Sequence, residues 1–396
     1  MPAPISLASG YGDFAVPAVA LEAAAATLRH LPGPLPMSEA AGTPALREAL
    51  AARYRRRGAA QVQAEHVVVM PGTKAALFAV FSEVLRAGPT EVLLPTPNWF
   101  GFGELVRRAG GQLRELPLST TDNYTLHPKA LRQALSAKSR LLVLTNPTNP
   151  TGRLYSTAEW TALLRVTQDF PNLLVLSDEI YEGITFQPEP TTPYAPAPTL
   201  LAQPDPHGQH IVVSGFSKSL ALAGWGLGCV VAPPALAALL AARQFATAGA
   251  VPAPNQAAAL AATQHADAIG LALCRQLRPN RELLLAGLRA LPHQPAFDAP
   301  LGTYYVFADF TRLLDPALPP TAASAALTAA LAAAGVLAVD GGTCGAPGFL
   351  RLSYAVPEAD LREALRRLGI FVDTALVVKE LKGGHAERTE ASRVGN

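Results

Sequence analysis

The chain has 396 residues and a mass of 41.4 kDa, which suits one large domain with a smaller companion at roughly 100 to 200 residues per domain. Charged residues make up 16% and apolar residues 49%, so the chain can bury a substantial core and lacks the composition of a disordered polymer. Lys plus Arg number 32 and Asp plus Glu 30, a net charge of +2 with no long basic block, so charge gives no basis for a nucleic-acid partner. Cys229, Cys274 and Cys344 are odd in number, widely spaced and free of any CxxC. That argues against a disulfide framework and a thiolate zinc site, and predicts a cytoplasmic, metal-independent protein.

The opening MPAPISLASG precedes the first basic residue, Arg29, and so lacks the charged start of a secretory signal. The mature protein is expected to begin where the sequence does. Thr43 followed by Pro44 reads as a helix N-cap with proline at the first helical position, and Leu46, Leu50 and Tyr54 recur at spacing four. VVVM (67–70) is the first strand candidate, followed by a helix that opens at Gly72 with Leu77, Phe81 and Leu85 on one face. EVLLP (91–95), RLLVLT (140–145), NLLVLS (172–177), IVVS (211–214) and LGCVVA (227–232) continue the set. Continuous apolar runs suit strands buried on both faces, and the helices between them predict an α/β fold with a mostly parallel sheet sandwiched by helices.

Pro-rich connections at 188–206 and 315–320 read as surface loops, and 302–309 and 349–354 as strands of a second, smaller α/β domain. The uncharged stretch 321–339 has the length of a membrane span, but it is mostly alanine with Ser, Thr and Gly335 inside. It reads as a buried helix ending at Gly335, followed by a short strand, VLAV, so no membrane span is expected. The predicted organisation is a large domain over 43–275, a small domain from 1–42 plus 276–372, and a polar tail, 373–396, expected to be disordered.

In a parallel α/β sheet the ligand site lies at the carboxyl ends of the strands. Those positions are unusually polar here: PGTK after the first run, then NPTNPTG, DEIYE and GFSKS. Singly, each has a plain structural reading. Gly72, Thr73 and Lys74 suit a phosphate at a helix N-terminus or an ordinary capped helix. Asn149 suits a turn, Asp178 a buried ion pair, Tyr181 a packed aromatic and Lys218 a solvated surface cation. Together they supply a lysine for a Schiff base, an acid for a pyridinium nitrogen, donors for a phenolate oxygen and a phosphate cradle, which are the requirements of pyridoxal phosphate chemistry.

On NPTNPTG, SDEIYE, GFSK and RLSYA, in this order and spacing, the chain resembles the class I/II aminotransferases of the fold-type I pyridoxal-phosphate family, which are aspartate-aminotransferase-like, from about residue 10 to about 368. The resemblance implies that Lys218 forms the Schiff base and moves the substrate α-proton, that Asp178 pairs with the ring nitrogen, and that Tyr181 and Asn149 hold the ring oxygen. It implies further that Trp99 stacks on the ring, that Gly72, Thr73 and Lys74 hold the phosphate, that Ser217 is among the cofactor-binding residues, that Asn149 also meets substrate, and that Arg351 grips the substrate α-carboxylate. Gly10 falls where the family's N-terminal segment closes over substrate. The implied activity is ping-pong transfer of an amino group from an α-amino acid to a 2-oxo acid, in a homodimer.

Three positions depart from the family pattern. Gly226 stands where an arginine is expected to bind the phosphate, Gly215 where a serine often does, and Met37 where a tyrosine reaches the neighbouring subunit's phosphate. One charge-assisted contact is worth about 1.5 to 3 kcal/mol, so weaker cofactor retention is expected. Lys74 and Arg243 are the candidate substitutes. The alternatives left open are another enzyme of the same cofactor class, a β-lyase, synthase, decarboxylase or oxidase, and a non-catalytic pyridoxal-phosphate-binding relative. A nicotinamide dehydrogenase is excluded because no GxGxxG follows a strand; GWGLG ends at Cys229 where the last glycine belongs.

Overall fold

The computed structural model describes residues 3–30, 33, 35, 37–86, 90–186, 193–292 and 294–394. The chain forms two compact units: Tyr11–Gln276 with Pro300–Tyr304, and Met1–Gly10 with Leu277–Ala299 and Tyr305–Asn396. After β1 (Ile5–Ser6), the larger unit runs α1 (Ala18–Arg29), α2 (Pro44–Arg56), β2 (Val67–Met70), α3 (Thr73–Val84), β3 (Glu91–Thr96), α4 (Gly101–Arg108) and β4 (Gln112–Pro117). It continues with α5 (Pro128–Ala134), β5 (Ser139–Thr145), α6 (Thr157–Thr167), β6 (Leu174–Asp178), β7 (His210–Gly215), β8 (Gly228–Val231), α7 (Pro234–Thr247) and α8 (Ala253–Gln264). The helix α9 (Ala266–Arg289) leads on into the smaller unit.

Seven strands form one sheet in the order β2-β8-β7-β6-β5-β3-β4, parallel except for β8, which runs antiparallel to both β2 and β7. The apolar runs are continuous because both faces are covered. Val69, Leu142, Leu144, Val175 and Val212 pack with α2, α6 and α8, while Val68, Leu141, Val143, Leu176 and Val213 pack with α3, α4 and α7. Six strand candidates lie on strands of this sheet. The seventh strand, β4 (QLRELP), was not legible: at the sheet's edge its residues are exposed or half-buried, so no apolar run marks it.

Thr43 does occupy the N-cap of α2, but its side chain makes no capping bond; its backbone N–H instead donates to Gln256 Oε1 at 2.7 Å. The Pro-rich stretch at 188–206 lies partly outside the described residues, whereas 315–319 is an exposed connection as expected.

In the smaller unit, β9 (Tyr305–Asp309), α10 (Pro320–Ala333), β10 (Val336–Leu337), β11 (Val339–Asp340), β12 (Phe349–Ser353) and α11 (Glu358–Val394) follow in order. β11, β12 and β9 form an antiparallel sheet, and β1 pairs in parallel with β10. The single strand expected at VLAV is therefore split at Ala338, because its two halves serve different sheets.

Three expected boundaries differ from the structure. Residues 11–42 group with the larger unit, since Ala20 and Ala24 of α1 are buried with Ala258, Ala259 and Ala262 of α8. Residues 302–304 also stay there, where Gly302 bridges to Thr185 and Thr303 N–H donates to Ile184 O at 3.1 Å. The tail expected to be disordered continues α11 to Val394: no proline follows Pro357, and Ala, Glu, Lys and Arg favour the helix. Among the described residues no helix is long and apolar enough to cross a membrane.

Candidate active site

Asp178 is the last residue of β6 and lies opposite Thr145 of β5 and Val213 of β7. Its carboxyl is 8% exposed and accepts a hydrogen bond from Ile180 N–H at 3.1 Å. Burial pushes it up to about 7, against the pull of the Ile180 N–H; Glu179 adds to the rise and the Lys218 field opposes it. A buried carboxylate in this state favours a cationic partner. Tyr181 follows on the turn after β6, buried, with its ring edge-on to Tyr304 at 5.4 Å.

Lys218 sits three residues beyond the end of β7, 8% exposed, with its Nζ 3.7 Å from the centre of the Tyr11 ring. The two loops are tied together by Ser219, whose Oγ donates to Ile180 O at 2.9 Å and accepts from Gly183 N–H at 3.0 Å. Asn149 is buried in the loop 146–152 after β5, where Asn146-Pro147 and Asn149-Pro150 are cis. Asn146 carries that loop's structural bonds, donating to Pro198 O at 2.7 Å and accepting from Tyr155 N–H at 2.9 Å.

At the start of α3, Gly72 has φ +104°, and the first amide N–H groups of the helix have no intrahelical acceptor. The backbone of this turn packs directly on β8: a Cβ on Gly228 would lie 2.6 Å from the Gly72 carbonyl carbon. Thr73 Oγ1 is buried without a hydrogen-bond partner. A Cβ on Gly215 would lie 2.1 Å from that same oxygen. In its present rotamer Thr73 takes the room a side chain at 215 needs, so a residue larger than glycine there requires that hydroxyl to turn.

At Gly226 the outcome differs. Its φ is +63°, and among the described residues no atom comes within 4 Å of where its Cβ would be, so the room at that Cβ is not taken by a neighbour. Arg243 is not the substitute, since its Nη1 lies 3.7 Å from Glu83, near the far end of α3 from Thr73. Lys74 stays at the helix start, exposed, with its Nζ 5.8 Å from the Trp99 ring. Trp99 itself is half-buried and edge-on to Phe102 at 5.2 Å, Ser217 is half-buried, and Met37 is 85% exposed.

Lys218, Asp178, Tyr181, Asn149, Trp99, Ser217 and Gly72 to Lys74 all belong to the larger unit. Gly10 and Arg351 belong to the smaller one. There Arg351 is 3% exposed, lies with its guanidinium 4.0 Å from the Tyr305 ring centre, and donates to Ala8 O at 3.0 Å; a Cβ on Gly10 would lie 3.7 Å from Tyr305 Oη. Sequence reasoning missed the seat of Tyr11 on Lys218 and the brace made by Ser219. The serine adjoins the lysine in GFSKS, but nothing in that motif marks it as the tie.

These groups fit pyridoxal phosphate. A buried carboxyl suits a protonated ring nitrogen, a shielded amine suits a carbonyl carbon, and a helix start with an unpartnered hydroxyl suits a phosphate.

Comparison with known proteins agrees. The family model described as aminotransferase class I and II matches residues 3–368. Aspartate/prephenate aminotransferase of Thermus thermophilus is 33% identical over 367 residues, covering 92% of this chain and 89% of that protein. Among solved structures, the Thermus thermophilus aspartate aminotransferase with maleate superposes with a TM-score of 0.83 at 31% identity, covering 93% of this chain and 92% of that one. The Rhizobium meliloti aspartate aminotransferase gives 0.84 at 26% identity, covering 94% and 92%. The chain belongs to the class I and II aminotransferases, and is a pyridoxal-phosphate-dependent enzyme that moves an amino group from an α-amino acid to a 2-oxo acid by a ping-pong mechanism.

Proposed function

We propose that Lys218 is the lysine to which the cofactor attaches and the base that moves the substrate α-proton, and that Asp178 keeps the ring nitrogen protonated. Tyr181 and Asn149 hold the ring oxygen, Asn149 also meeting substrate, Trp99 covers the ring, Gly72, Thr73 and Lys74 hold the phosphate, and Ser217 is among the cofactor-binding residues. Arg351 grips the substrate α-carboxylate, and Gly10 lies on the N-terminal segment that closes over substrate. The larger unit is then the cofactor-binding domain.

Pyridoxal phosphate, when bound, supplies a carbonyl that condenses with amines and a ring that accepts the electron pair left at the α-carbon. The protein's part is proton handling and orientation. Lys218 Nζ, with the Tyr11 ring over it, takes up the α-proton and returns it in a setting shielded from bulk water. Asp178, whose burial disfavours its charge, becomes ionised beside a cationic nitrogen and holds that nitrogen's proton. The guanidinium of Arg351, rigid and planar against Tyr305, offers two parallel N–H donors to a carboxylate. The observation that carries the reading is the buried carboxyl of Asp178 in the field of the buried amine of Lys218, at the ends of neighbouring strands.

The names of the relatives, aspartate and aspartate/prephenate aminotransferases, support aspartate as amino donor. The test is the half-reaction. Holoenzyme given aspartate alone is expected to lose its visible cofactor band and release the matching 2-oxo acid, and a second 2-oxo acid is expected to restore the band. Ammonia released without an acceptor would replace this reading by elimination, and no spectral change with any proteinogenic amino acid would overturn it.

We further infer a homodimer in the cytoplasm. Supporting the first, Met37 and Phe245 of the larger unit are 85% and 64% exposed, apolar surface that a second copy would cover. The second rests on the sequence, whose three widely spaced cysteines form no CxxC and no even-numbered framework. Sedimentation at a monomer mass, or fractionation outside the cytoplasm, would remove them.

A further inference from the structure

The turn that carries Asp178 and Tyr181 also carries two buried acids with no part in the chemistry above, Glu179 and Glu182, 0% and 6% exposed. The two pairs interleave along the chain. Both acids are met from one side by α2 and its C-cap. Arg57 Nη2 donates to Glu179 Oε2 at 3.1 Å, and Arg57 Nη1 lies 2.7 Å from Glu182 Oε2. Arg53 adds two hydrogen bonds to Glu182 Oε1, at 2.6 and 3.1 Å. The other oxygen of Glu179 accepts from Thr199 Oγ1 and Leu200 N–H, both at 2.9 Å. Arg57 also donates to Ala197 O at 2.9 Å. One guanidinium therefore bridges the two acids that flank Tyr181, one of which directly follows Asp178.

Burying such a cluster is costly, and apolar side chains of like volume fill the same space at no such cost. Packing alone does not account for four buried charges. We propose that Arg57 is a positioning residue for amino transfer: it fixes the turn bearing Asp178 and Tyr181, and it cancels the charge of Glu179 so that Asp178 does not stand beside an unpaired carboxylate. This rests on the reading of Asp178 as the acid that holds the ring nitrogen's proton.

The charges around the turn agree. Burial raises the Glu179 carboxyl and Arg57 pulls it back, whereas at Glu182 burial is outweighed by Arg53 and Arg57, which hold it below the ordinary range. Burial works against the charge of Arg57 itself, but Glu182 and Glu179 outweigh it and raise it further. The other titratable groups facing the cluster are Tyr54 on α2, Cys229 on β8, Tyr194, Lys218 beyond β7, and Asp267 on α9, whose Oδ1 lies 3.5 Å from Arg53. Lys218, Arg53 and Arg57 carry the positive charge here, so losing Arg57 removes one of three cations and takes from Glu179 its ion-pair partner.

The test is the pH profile of kcat for holoenzyme at saturating cofactor and substrates. Arg57→Met is expected to move the acid limb up by about one pH unit, the direction in which an uncompensated neighbouring carboxylate acts. Arg57→Met with Glu179→Gln is expected to return the limb to its wild-type position or below, with kcat still lowered because the bridge remains lost. Arg57→Lys, a point charge unable to bridge both acids, is expected to keep the wild-type limb with a reduced kcat.

A limb unmoved in Arg57→Met, with only thermal stability lost, would reduce Arg57 to a structural clamp and overturn the proposal. If that variant does not fold, Glu179→Gln alone decides: a limb moved down supports the proposal and an unmoved one overturns it. Asp178→Asn keeps the two readings apart. An acid limb that persists in that variant means that the limb does not belong to Asp178, so the reading of Asp178 fails whatever Arg57 does.

Discussion

Lys218→Ala is expected to lower kcat by at least about ten-thousand-fold while leaving a folded protein that still takes up pyridoxal phosphate. General acid–base catalysis by a positioned group is worth roughly a hundredfold to ten-thousand-fold, and in the proposed role this amine also provides the covalent attachment. Both are lost together. Folding should be little affected, since truncation removes one largely buried side chain and its contact with the Tyr11 ring, a cation–π contact worth about 0.5 to 2 kcal/mol. Cofactor uptake should persist because the phosphate cradle at the start of α3 owes nothing to Lys218. Borohydride should then attach the pyridoxyl group to residue 218 in the wild type and leave it removable by dialysis in the variant. Activity within tenfold of wild type, or attachment at another lysine, would refute the assignment. The same spectra bear on the gap at Gly226: an affinity matching enzymes that have the arginine would mean that Lys74 or the helix start makes up the loss.

The large sheet was legible because strands buried on both faces cannot hide their composition. Val67 to Met70 and Leu141 to Thr145 are apolar at nearly every position, and a polar residue directly after such a run stands out. Asp178 and Lys218 were found in that way. What the sequence concealed depends on distances along the chain that no local pattern records. Glu179 adjoins Asp178 in the sequence, yet the two have different partners, and the guanidinium on Glu179 comes from Arg57, 122 residues earlier. The edge strand β4 lacks a second neighbour and so lacks the apolar mark. Gly215 read as a lost contact, whereas the space beside it is taken by the Thr73 hydroxyl in its present rotamer, from a helix start 142 residues upstream. Crowding of this kind is invisible until the two segments are brought together.

Asp178→Asn is expected to cost activity and to stabilise the cofactor-free protein, and the two effects have one cause. The carboxyl has an ordinary value of 3.8 and stands at about 7 in the folded chain. An acid whose folded value is raised binds its proton more tightly when folded, so the native state is favoured at low pH and loses that advantage as pH rises from about 4 to about 7. At 1.36 kcal/mol per pH unit the span from 3.8 to about 7 amounts to about 4 kcal/mol, an upper figure for a group this well buried. Asparagine carries no charge to desolvate. The cofactor-free variant should therefore melt higher than the cofactor-free wild type at pH 8 and much like it at pH 4, flattening the decline between. With cofactor bound the order should reverse, because in the proposed role the wild-type carboxylate pairs with a cationic ring nitrogen and asparagine cannot. Losing that charge-assisted bond, worth about 1.5 to 3 kcal/mol, should lower kcat by roughly tenfold to 150-fold and release the cofactor more readily. Equal melting temperatures for the two cofactor-free proteins at pH 8 would mean that Asp178 is ionised without strain in the empty site. Its burial would then serve the fold and not the cofactor.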